Sequence, residues 1–335
     1  MAGNKTLARA KDTKNDEFYT QLSDIEKELK YYKEYFKGKT IFCNCDDPET
    51  SNFWLYFELN FSVFGLKKLV ATHYEKEKPS YKLELVKDEN EDGKIDKLDI
   101  VKTKLRQNGD FRSPECIEIL KEADIVITNP PFSLFIEYLL QLIEYNKKFI
   151  IIGNLNATHY KEIFPLIRDN KIWLGNTNFN GGATYFIGSK DLYDPKKMSN
   201  PKHAYIKDGK LYWRVNGVRW FTNIETKVRS EELILYKHYT PEEYPSYFNY
   251  DGIDVNNIND IPIDYMGNMG VPDSFLQRYN PNQFEIVGLG CGNMAKEIGV
   301  EKNHRGRTDI AFYDKNGTPK CPYSRIIVRR KQNAN

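Results

Sequence analysis

The stretch at residues 124–132 constrains the fold more strongly than any other part of the chain. Apolar and β-branched residues run from Ile125 into an Asn-Pro-Pro-Phe motif at 129–132, and a new apolar pattern begins at Leu134. This order is typical of a buried strand that ends abruptly before a helix. Neither proline has a backbone N–H, so a β-ladder cannot continue through them. The motif therefore marks the carboxyl end of a strand, where open α/β sheets place their ligands.

The side chains of this motif suit the methylation of an aromatic amine. The exocyclic nitrogen of adenine is a poor nucleophile, because its lone pair is delocalised into the ring. The amide oxygen of Asn129 and the carbonyl of Pro130 could each accept one amine proton and so localise that lone pair. Pro131 would keep the turn rigid, and Phe132 would stack on the base. A plain strand end is the alternative, but the strand before and the helix after the motif favour a functional site.

The motif resembles the catalytic motif of amino-methyltransferases that use S-adenosylmethionine. The longer string at 129–135 resembles the EcoRI-type DNA adenine methyltransferases in particular. Further segments similar to that family follow in unchanged order, at 16–21, 43–48, 109–113, 269–272, 280–281 and 283–285. The similarity touches the chain from about residue 5 to residue 330, and the ordered set is far more specific than the tetrapeptide alone.

The resemblance implies both a fold and a division of the chain. We expect an α/β fold, with a Rossmann-like methyltransferase sheet carrying helices on both faces and a C-terminal α+β target-recognition region. Residues 16–190 would form the catalytic domain and residues 191–335 the region that recognises DNA. The basic composition of residues 1–15, with few apolar residues, predicts a mobile arm, and a merely solvated terminus is the alternative. The implied reaction is site-specific N6 methylation of an adenine extruded from duplex DNA.

The same resemblance supplies S-adenosyl-L-methionine as the cofactor and a set of residues expected around it. Glycine is absent between Gly38 and Gly65, where a dinucleotide-type fold carries Gly-x-Gly, so Asp46 or Asp47 must do more of the orienting. The Asp110 carboxylate would accept from the cofactor's adenine amine, although an acid in a turn is the structural alternative. The expected cofactor residues are Tyr19, Thr20, Asn44, Asp46, Asp47, Pro48, Tyr74, Asp110, Phe111 and Asn129.

Strands and helices alternate along the first half of the chain, which favours a parallel sheet. We predict helices from residue 16, from about residue 50 with Thr50 or Ser51 as N-cap, at 114–121 and at 134–145. Strands are predicted at 39–45, 67–71, 99–105, 124–128 and 148–152. Segments 171–174 and 183–187 look like the closing hairpin, residues 76–97 form a charged surface excursion, and Trp220 and Phe221 belong to the core.

Basic residues are concentrated toward the C-terminus although the net charge is only +2. Residues 296–335 contain ten Lys or Arg against four Asp or Glu, whereas residues 241–285 contain one Arg against eight acids. Such segregation favours a basic face for DNA phosphates, unless the blocks mix in space. The candidate DNA-contacting residues are Arg214, Arg219, Arg305, Arg307, Arg325, Arg329 and Arg330.

Composition excludes several other classes of protein. The apolar runs are too short to span a membrane, and residues 1–15 lack the apolar core of a signal peptide, so we expect a cytoplasmic protein. Five cysteines without CxxC spacing and five scattered histidines argue against disulfides and a metal site. We expect a monomer or weak dimer, with any cognate restriction endonuclease sharing the DNA site without being bound.

Two other functions remain open from the sequence. Asn-Pro-Pro-aromatic motifs also serve enzymes that methylate RNA or protein glutamine, and a methyltransferase fold that lost its chemistry could still bind DNA. The aromatic and basic C-terminal half favours a nucleic acid, and the family signatures favour DNA. An intact Asn129 motif and Asp110 favour activity. A modification enzyme of a restriction-modification system is implied, with a GAATTC-like site by resemblance alone.

Overall fold

The computed structural model describes residues 19–76, 78–179, 183–189, 204–207 and 210–332. The predicted basic arm at 1–15 lies outside these residues. By their internal contacts the described residues fall into two units. The first reaches Ala157 and resumes at Gly175–Ile224, and the second comprises Thr158–Leu174 and the chain from Glu225 onward.

The strands, in chain order, are β1 Tyr19–Thr20, β2 Thr40–Cys43, β3 Lys68–Thr72, β4 Tyr81–Leu85, β5 Val101–Lys104, β6 Ile125–Thr128, β7 Lys148–Asn154, β8 Trp173–Asn178, β9 Ala183–Ser189, β10 Ala204–Lys207, β11 Lys210–Val215, β12 Val218–Thr222, β13 Ile253–Asp254, β14 Met269–Pro272, β15 Phe284–Leu289, β16 Phe312–Tyr313, β17 Pro319–Lys320 and β18 Arg325–Arg330.

The α-helices are α1 Leu22–Leu29, α2 Asn52–Leu59, α3 Phe61–Phe64, α4 Pro114–Glu122, α5 Phe135–Glu144, α6 Phe164–Arg168 and α7 Gly292–Glu297. Short 3-10 helices occur at Lys30–Tyr35, Lys97–Asp99, Phe132–Leu134, Leu155–His159, Lys227–Ser230, Ile258–Asp260 and Asp273–Arg278.

An eight-stranded sheet in the order β5-β4-β3-β2-β6-β7-β12-β8 organises the first unit. Its centre, β3-β2-β6-β7, is parallel, whereas β4 and β5 continue it antiparallel on one side. Every residue of β2 and β6 is buried, as expected of parallel strands covered on both faces. The α/β fold predicted from the sequence is confirmed.

Helix α2 shows how local sequence positions this core. Ser51 is its N-cap, and the Ser51 hydroxyl accepts from the backbone N–H of Phe53 at 3.2 Å. Of the two predicted N-caps, Thr50 and Ser51, the second is therefore confirmed. Phe53 and Phe57 are fully buried, and Phe57 meets Phe36 edge to face with ring centroids 5.2 Å apart. Trp220 and Phe221 are also buried, as predicted.

The closing part of the sheet differs from the prediction. Residues 183–187 do not pair with 171–174; instead β9 belongs to a separate four-stranded sheet in the order β1-β9-β11-β10. The antiparallel neighbour of β7 is β12, and Trp220 lies opposite Ile152. The sheet therefore needs Val218–Thr222, and a catalytic domain that ends at residue 190 would lack its closing strand.

Two predicted elements near the start of the sheet are also placed differently. Tyr19 and Thr20 form a short strand opposite Phe186 and Tyr185, and the helix begins at Leu22 rather than at residue 16. The predicted strand at 99–105 is β5, which is the edge strand and is antiparallel to β4. The charged excursion contributes β4 and the connection from β4 to β5.

The second unit has its own four-stranded sheet in the order β13-β14-β18-β15. Ile326, Ile327 and Val328 of β18 are fully buried in it. A small core cluster that includes Ile327, Tyr247 and Ala295 packs this sheet against neighbouring segments. Among the described residues, no helix is long and apolar enough to cross a membrane.

Candidate active site

Asn129 lies at the carboxyl end of the central strand β6, as the sequence predicted. It is 5% exposed, and Pro130 after it is also buried. The hydroxyl of Thr128 donates to the backbone carbonyl of Asn44, which lies just beyond β2. Because β6 is parallel to β2, this bond joins the ends of two adjacent strands and holds Asn129 beside the β2 exit.

The rest of the motif forms a tight turn into helix α5. The N–H of Leu134 donates to the carbonyl of Pro131 at 2.9 Å, which starts the 3-10 turn Phe132–Leu134. The turn thus uses the Pro131 carbonyl, consistent with giving the acceptor role to Pro130. Phe132 is half-buried and packs against the core cluster of the sheet, which holds its side chain in place.

The exit from β2 achieves without glycine the turn that glycine usually makes. Cys45 has a φ of +70°, in the left-handed region that favours glycine. The Asn44 side chain is buried, and its Oδ1 accepts from the hydroxyl of Tyr138 on α5. Burial raises the pKa of Tyr138, so the phenol keeps its proton and remains a donor.

The two acids after β2 have different surroundings. Asp46 is 6% exposed, and its Oδ2 accepts from the hydroxyl of Ser51 at 3.1 Å. Asp47 is half-buried, and its Oδ1 accepts from the hydroxyl of Tyr81 on β4 at 2.9 Å. Pro48 after them is buried. Asp46 and Asp47 are thus both held in place by side chains of neighbouring elements.

Two contacts with its aromatic ring hold Tyr81 in place. It stacks on His73 with ring centroids 4.9 Å apart, and Lys102 Nζ lies 3.8 Å from its ring centroid. Burial and the bond to Asp47 raise the pKa of the Tyr81 phenol. Tyr74, expected at the cofactor, follows β3 next to His73 and is 42% exposed.

Asp110 follows a glycine that no other residue can replace without strain. Gly109 has a φ of +78°, and a Cβ there would lie 1.8 Å from the carbonyl oxygen of His73. The close approach sets Asp110 beside the end of β3. The Arg112 guanidinium donates two hydrogen bonds to the Asp110 carboxylate, from Nη2 to Oδ2 at 2.7 Å and from Nε to Oδ1 at 2.8 Å. These bonds lower the pKa of Asp110, so it is charged at neutral pH.

Phe111 connects this loop to the β2 exit. It is 6% exposed and meets the ring of Tyr138 edge to face, with centroids 5.0 Å apart. Tyr138 in turn donates to Asn44. The loop at Asp110 and the turn at Asn44 therefore share one buried aromatic support.

Thr20 carries a polar atom that points to a ligand. It is 2% exposed, and its hydroxyl makes no hydrogen bond with any residue that the structure describes. Its backbone carbonyl accepts from the side chain of Asn52 at 2.6 Å, which ties β1 to the start of α2. Tyr19 lies beside it in β1. A buried hydroxyl is expected to have a partner, and a bound cofactor would supply one.

The donor and acceptor set around these strand ends suits S-adenosylmethionine. Carboxylates at Asp46 and Asp110 match amine and hydroxyl groups, the hydroxyl of Thr20 matches a carboxylate or ammonium group, and Phe111 offers an apolar surface for an adenine ring. All of the predicted cofactor residues belong to the first unit.

Two of the arginines predicted to contact DNA are instead buried. Arg325 is 8% exposed, and its Nε and Nη2 donate to the two carboxylate oxygens of Asp254 at 2.9 and 3.3 Å. Tyr247 donates to the same carboxylate at 2.7 Å. Arg330 is 9% exposed. Neither guanidinium faces solvent as phosphate binding requires, so these two assignments are corrected.

Other predicted arginines remain accessible. Arg305 and Arg307 are exposed on a loop whose base is Asn303, and Asn303 Oδ1 accepts from the Arg305 N–H at 2.8 Å. Arg329 is exposed and donates to Asn268 at 2.9 Å. Arg219 is half-buried, and the side chain of Arg214 in β11 lies outside what the structure describes.

Three supporting residues were missed from the sequence. Tyr138 reads there as one more apolar position of an amphipathic helix, Arg112 as part of a motif without a role, and Tyr81 as part of a charged excursion. The one signal available in the sequence was the Tyr138 hydroxyl, because it lies on the apolar face of the predicted helix. Each acts on a residue distant in sequence or through its side-chain geometry, which a local pattern does not show.

Comparisons with known proteins show which family the chain belongs to. The family described as adenine-specific methyltransferase EcoRI matches residues 6–331. Type II methyltransferase M.EcoRI of Escherichia coli is 44% identical, over 99% of this chain and 98% of that protein. Type II methyltransferases M.MpnI of Mycoplasma pneumoniae and M.MgeORF184P of Mycoplasma genitalium are each 38% identical, over 97% of this chain and 98% of theirs. No solved structure matches. The chain belongs to the EcoRI family of adenine-specific methyltransferases.

Proposed function

We propose that this chain methylates N6 of one adenine within a specific sequence of duplex DNA, using S-adenosylmethionine. The observation that carries the proposal is the placement of the Asn129 amide. It is buried at the carboxyl end of β6, beside the exit of β2, where the predicted cofactor residues gather. By analogy with its Type II relatives, we propose that the chain is the modification enzyme of a restriction-modification system.

The cofactor would be held by residues of β1, of the exits from β2 and β3, and of the loop before α4. Asp46 and Asp110 supply fixed acceptors, Thr20 a buried hydroxyl and Phe111 an aromatic surface. The other members of the expected group are Tyr19, Asn44, Asp47, Pro48, Tyr74 and Asn129. When bound, S-adenosylmethionine supplies a methyl group activated by the adjacent sulfonium.

The chain's own residues act on the amine. The Asn129 amide oxygen and the Pro130 carbonyl accept the two amine protons, which directs the nitrogen lone pair away from the ring. Phe132 stacks on the extruded base and limits its rotation. The amine proton is released to solvent after transfer, so no residue has to act as a strong base. Positioning and acceptor placement carry the catalysis.

Accessible arginines of the second unit would contact DNA phosphates. Arg305 and Arg307 project from the loop that Asn303 holds, and a cleft of about 650 Å³ beside this loop is lined by Lys296 and Lys302. Arg329 is the third exposed candidate. Exposed cations on a backbone that Asn303 holds suit phosphate contacts, which position a protein on DNA without reading sequence.

The cellular setting follows from the proposed reaction. The enzyme would act in the cytoplasm on the host's DNA, as a monomer or weak dimer. Any restriction endonuclease that cuts the same site would be a separate protein and would not need to bind this one.

One experiment separates this proposal from its rivals. The protein is incubated with labelled S-adenosylmethionine and, in parallel, plasmid DNA, total RNA or a glutamine-containing protein fraction. Label should enter DNA alone, as N6-methyladenine in one sequence context. Incorporation into RNA or protein would assign the site to another substrate, and no incorporation at all would support a DNA-binding protein without activity.

A further inference from the structure

A second group of oxygen-bearing side chains lies between strands β4 and β5. Residues 88–99 read Asp-Glu-Asn-Glu-Asp-Gly-Lys-Ile-Asp-Lys-Leu-Asp. Oxygen side chains stand at positions 1, 3, 5, 9 and 12 of this segment and glycine at position 6. The same spacing defines the twelve-residue calcium loop of EF-hand proteins, which also uses the carbonyl of position 7. Nothing in the methylation chemistry uses this segment.

The pattern specifies more than acidity. It places the neutral amide of Asn90 at position 3 and Gly93 at position 6, where the calcium loop makes its sharp turn. Gly93 has a φ of +85°, a conformation that other residues adopt only with strain. Two further acids, Glu89 and Glu91, occupy positions that the pattern leaves free. The segment departs from the pattern at position 12, where Asp99 replaces the longer glutamate.

Asp99 supplies an observation independent of the sequence spacing. It is 1% exposed, and its oxygens accept from the backbone N–H groups of Asp96 at 2.9 Å, Glu89 at 2.8 Å and Asn90 at 3.2 Å. These amides lower the pKa of Asp99, so the group is anionic. It forms no ion pair with any residue that the structure describes. Backbone N–H groups of the loop therefore fix this carboxylate at position 12, and its charge is compensated by amide dipoles rather than by a cation.

The backbone of the loop is already folded around the side chains proposed as ligands. The N–H of Gly93 donates to Asp88 Oδ2 at 2.7 Å, and the N–H of Lys94 donates to Asp92 Oδ1 at 2.9 Å. Across the described chain, no three His, Cys, Asp or Glu side chains form a ready metal cage. The carboxylates here are turned to the loop's own amides, so a cation would have to draw them inward by side-chain rotation.

We propose that the loop at residues 88–99 binds one Ca²⁺ ion. The side chains of Asp88, Asn90, Asp92 and Asp99 and the carbonyl of Lys94 are the ligands, with Asp96 acting directly or through water. Oxygen donors of mixed type suit Ca²⁺, which accepts variable coordination geometry, better than Mg²⁺, which demands strict octahedral geometry. The proposal is independent of the proposed methylation.

Binding would stiffen the edge of the sheet. The loop joins β4 to β5, and Ile95 within it packs against the core cluster. Tyr81 of β4 holds Asp47 at the proposed cofactor site. A cation that fixes the loop would therefore stabilise the hairpin that carries Tyr81, as metal binding commonly couples to folding.

Calorimetric titration of the full-length protein tests the proposal. The protein is first freed of metal with a chelator and then titrated with CaCl₂, with and without excess MgCl₂. We expect one site per chain with a dissociation constant of about 10⁻⁵–10⁻³ M, because the shorter Asp99 weakens the loop relative to sensor proteins. The melting temperature should rise with CaCl₂. Absence of both heat and a melting shift at roughly 10⁻² M CaCl₂, well above the weakest expected constant, would overturn the proposal.

Matched variants identify the site. Asp88→Asn and Asp92→Asn each remove one charge from a ligand position and should weaken Ca²⁺ binding at least tenfold. Glu91→Gln removes the same charge from a free position of the same loop and should leave binding close to wild type. Circular dichroism checks the fold of each variant. If Glu91→Gln weakens Ca²⁺ binding as much as the ligand variants do, charge attraction alone explains the binding and the assignment is refuted. Equal affinity of the wild-type protein for Mg²⁺ and Ca²⁺ would refute it in the same way.

Discussion

Arg112 holds both carboxylate oxygens of Asp110, through Nη2 to Oδ2 at 2.7 Å and through Nε to Oδ1 at 2.8 Å. The Arg112 backbone N–H adds a third bond to Oδ1 at 2.9 Å. Each carboxylate oxygen has two lone pairs, so the fork orients Asp110 while leaving it able to accept from a cofactor amine. Arg112 also reaches Glu137 on α5, which anchors the fork to a helix.

We therefore expect Arg112→Ala to weaken binding of S-adenosylmethionine by about 3- to 10-fold with little change in kcat, a modest effect because the guanidinium is partly exposed. Asp110→Ala should weaken it further, because it removes the acceptor itself. The hydrogen bonds of Arg112 lower the pKa of Asp110, so the acid-side loss of affinity should begin at a higher pH in Arg112→Ala. Calorimetric titration across pH measures both effects. An unchanged pH dependence would contradict the positioning role.

Gly109 gives a prediction about the backbone at the same loop. A Cβ there would lie 1.8 Å from the His73 carbonyl, and φ is +78°. Gly109→Ala should lower the free energy of unfolding by at least about 3 kcal/mol, since it combines left-handed strain with a backbone clash. Gly38→Ala is the matched control, because Gly38 has a φ of +70° and nothing within 4 Å of the added Cβ. It should cost only about 1–2 kcal/mol. Equal losses in denaturant unfolding would contradict the predicted clash.

How far the sequence predicts this site depends on the range of the interactions. The Asn129 motif and the Ser51 cap are local patterns, and the structure confirms their places at the end of β6 and the start of α2. The closing strand was misplaced because the hairpin rule assumes that neighbours in sequence pair. Here β9, β10 and β11 belong to another sheet, and the strand that pairs with β7 is β12, more than 60 residues later in the sequence.

The arginines show the same limit for side chains. Arg325 reads in sequence like any member of a basic cluster, but its partner Asp254 is 71 residues away. No local pattern indicates that these two groups pair inside the second unit. Asn303, by contrast, lies close in sequence to Arg305 and Arg307, which are exposed as predicted.

Glu28 on α1 gives a prediction about pH. It is fully buried, and its oxygens accept from the N–H groups of Asn176 and Thr177, each at 2.7 Å, and from Tyr32 at 2.8 Å. Burial raises its pKa above the ordinary value of 4.5. A raised pKa means that the folded state favours the protonated form. Its contribution to stability is therefore complete below pH 4.5 and is lost as pH rises through the folded-state pKa.

The measurement compares Glu28→Gln with wild type by denaturant unfolding between about pH 4 and pH 8, which spans the titration of a carboxyl group with a raised pKa. The introduced amide cannot ionise, so the free energy of unfolding of wild type minus variant should fall as pH rises. The variant should lose about 1–3 kcal/mol at low pH, because its amide group meets the donors of Thr177. A difference that grows with pH would mean that the carboxylate is stabilised as an anion and would contradict the predicted direction.

DNA affinity should depend on salt through the accessible arginines. Arg305→Gln combined with Arg307→Gln should reduce the slope of log affinity against log salt by about 1–2 if each contacts one phosphate. The control is Arg168→Gln in the same unit, because Arg168 is paired with Asp169 at 2.9 Å. Fluorescence anisotropy between low and moderate salt measures the slope. If the double variant and the control behave alike, the phosphate-binding face lies elsewhere.

The last prediction separates chemistry from recognition. Removing the Asn129 amide should leave DNA binding and base extrusion intact, because register on DNA comes from phosphate and base-edge contacts. Turnover should fall by about 10²–10³-fold, the cost of removing one preorganised hydrogen-bonding group at a reacting centre. Asn154→Ala is the control, since Asn154 is a half-buried asparagine at the end of β7, the parallel strand next to β6. It should keep most of its activity.

Phe132 should fail at a different step, which a fluorescent adenine analogue at the target position can report. Phe132→Leu keeps an apolar side chain against the core but removes the stacking surface, which is worth about 1–3 kcal/mol per base. The extrusion signal should therefore fall in Phe132→Leu and persist in Asn129→Ala, while both variants turn over slowly. Because the two defects are independent in origin, single-turnover rates should recover in Phe132→Leu when the target adenine is mismatched and extrudes more easily, but not in Asn129→Ala. Should Asn129→Ala methylate at the normal rate, the Asn-Pro-Pro-Phe segment would be only the end of a strand.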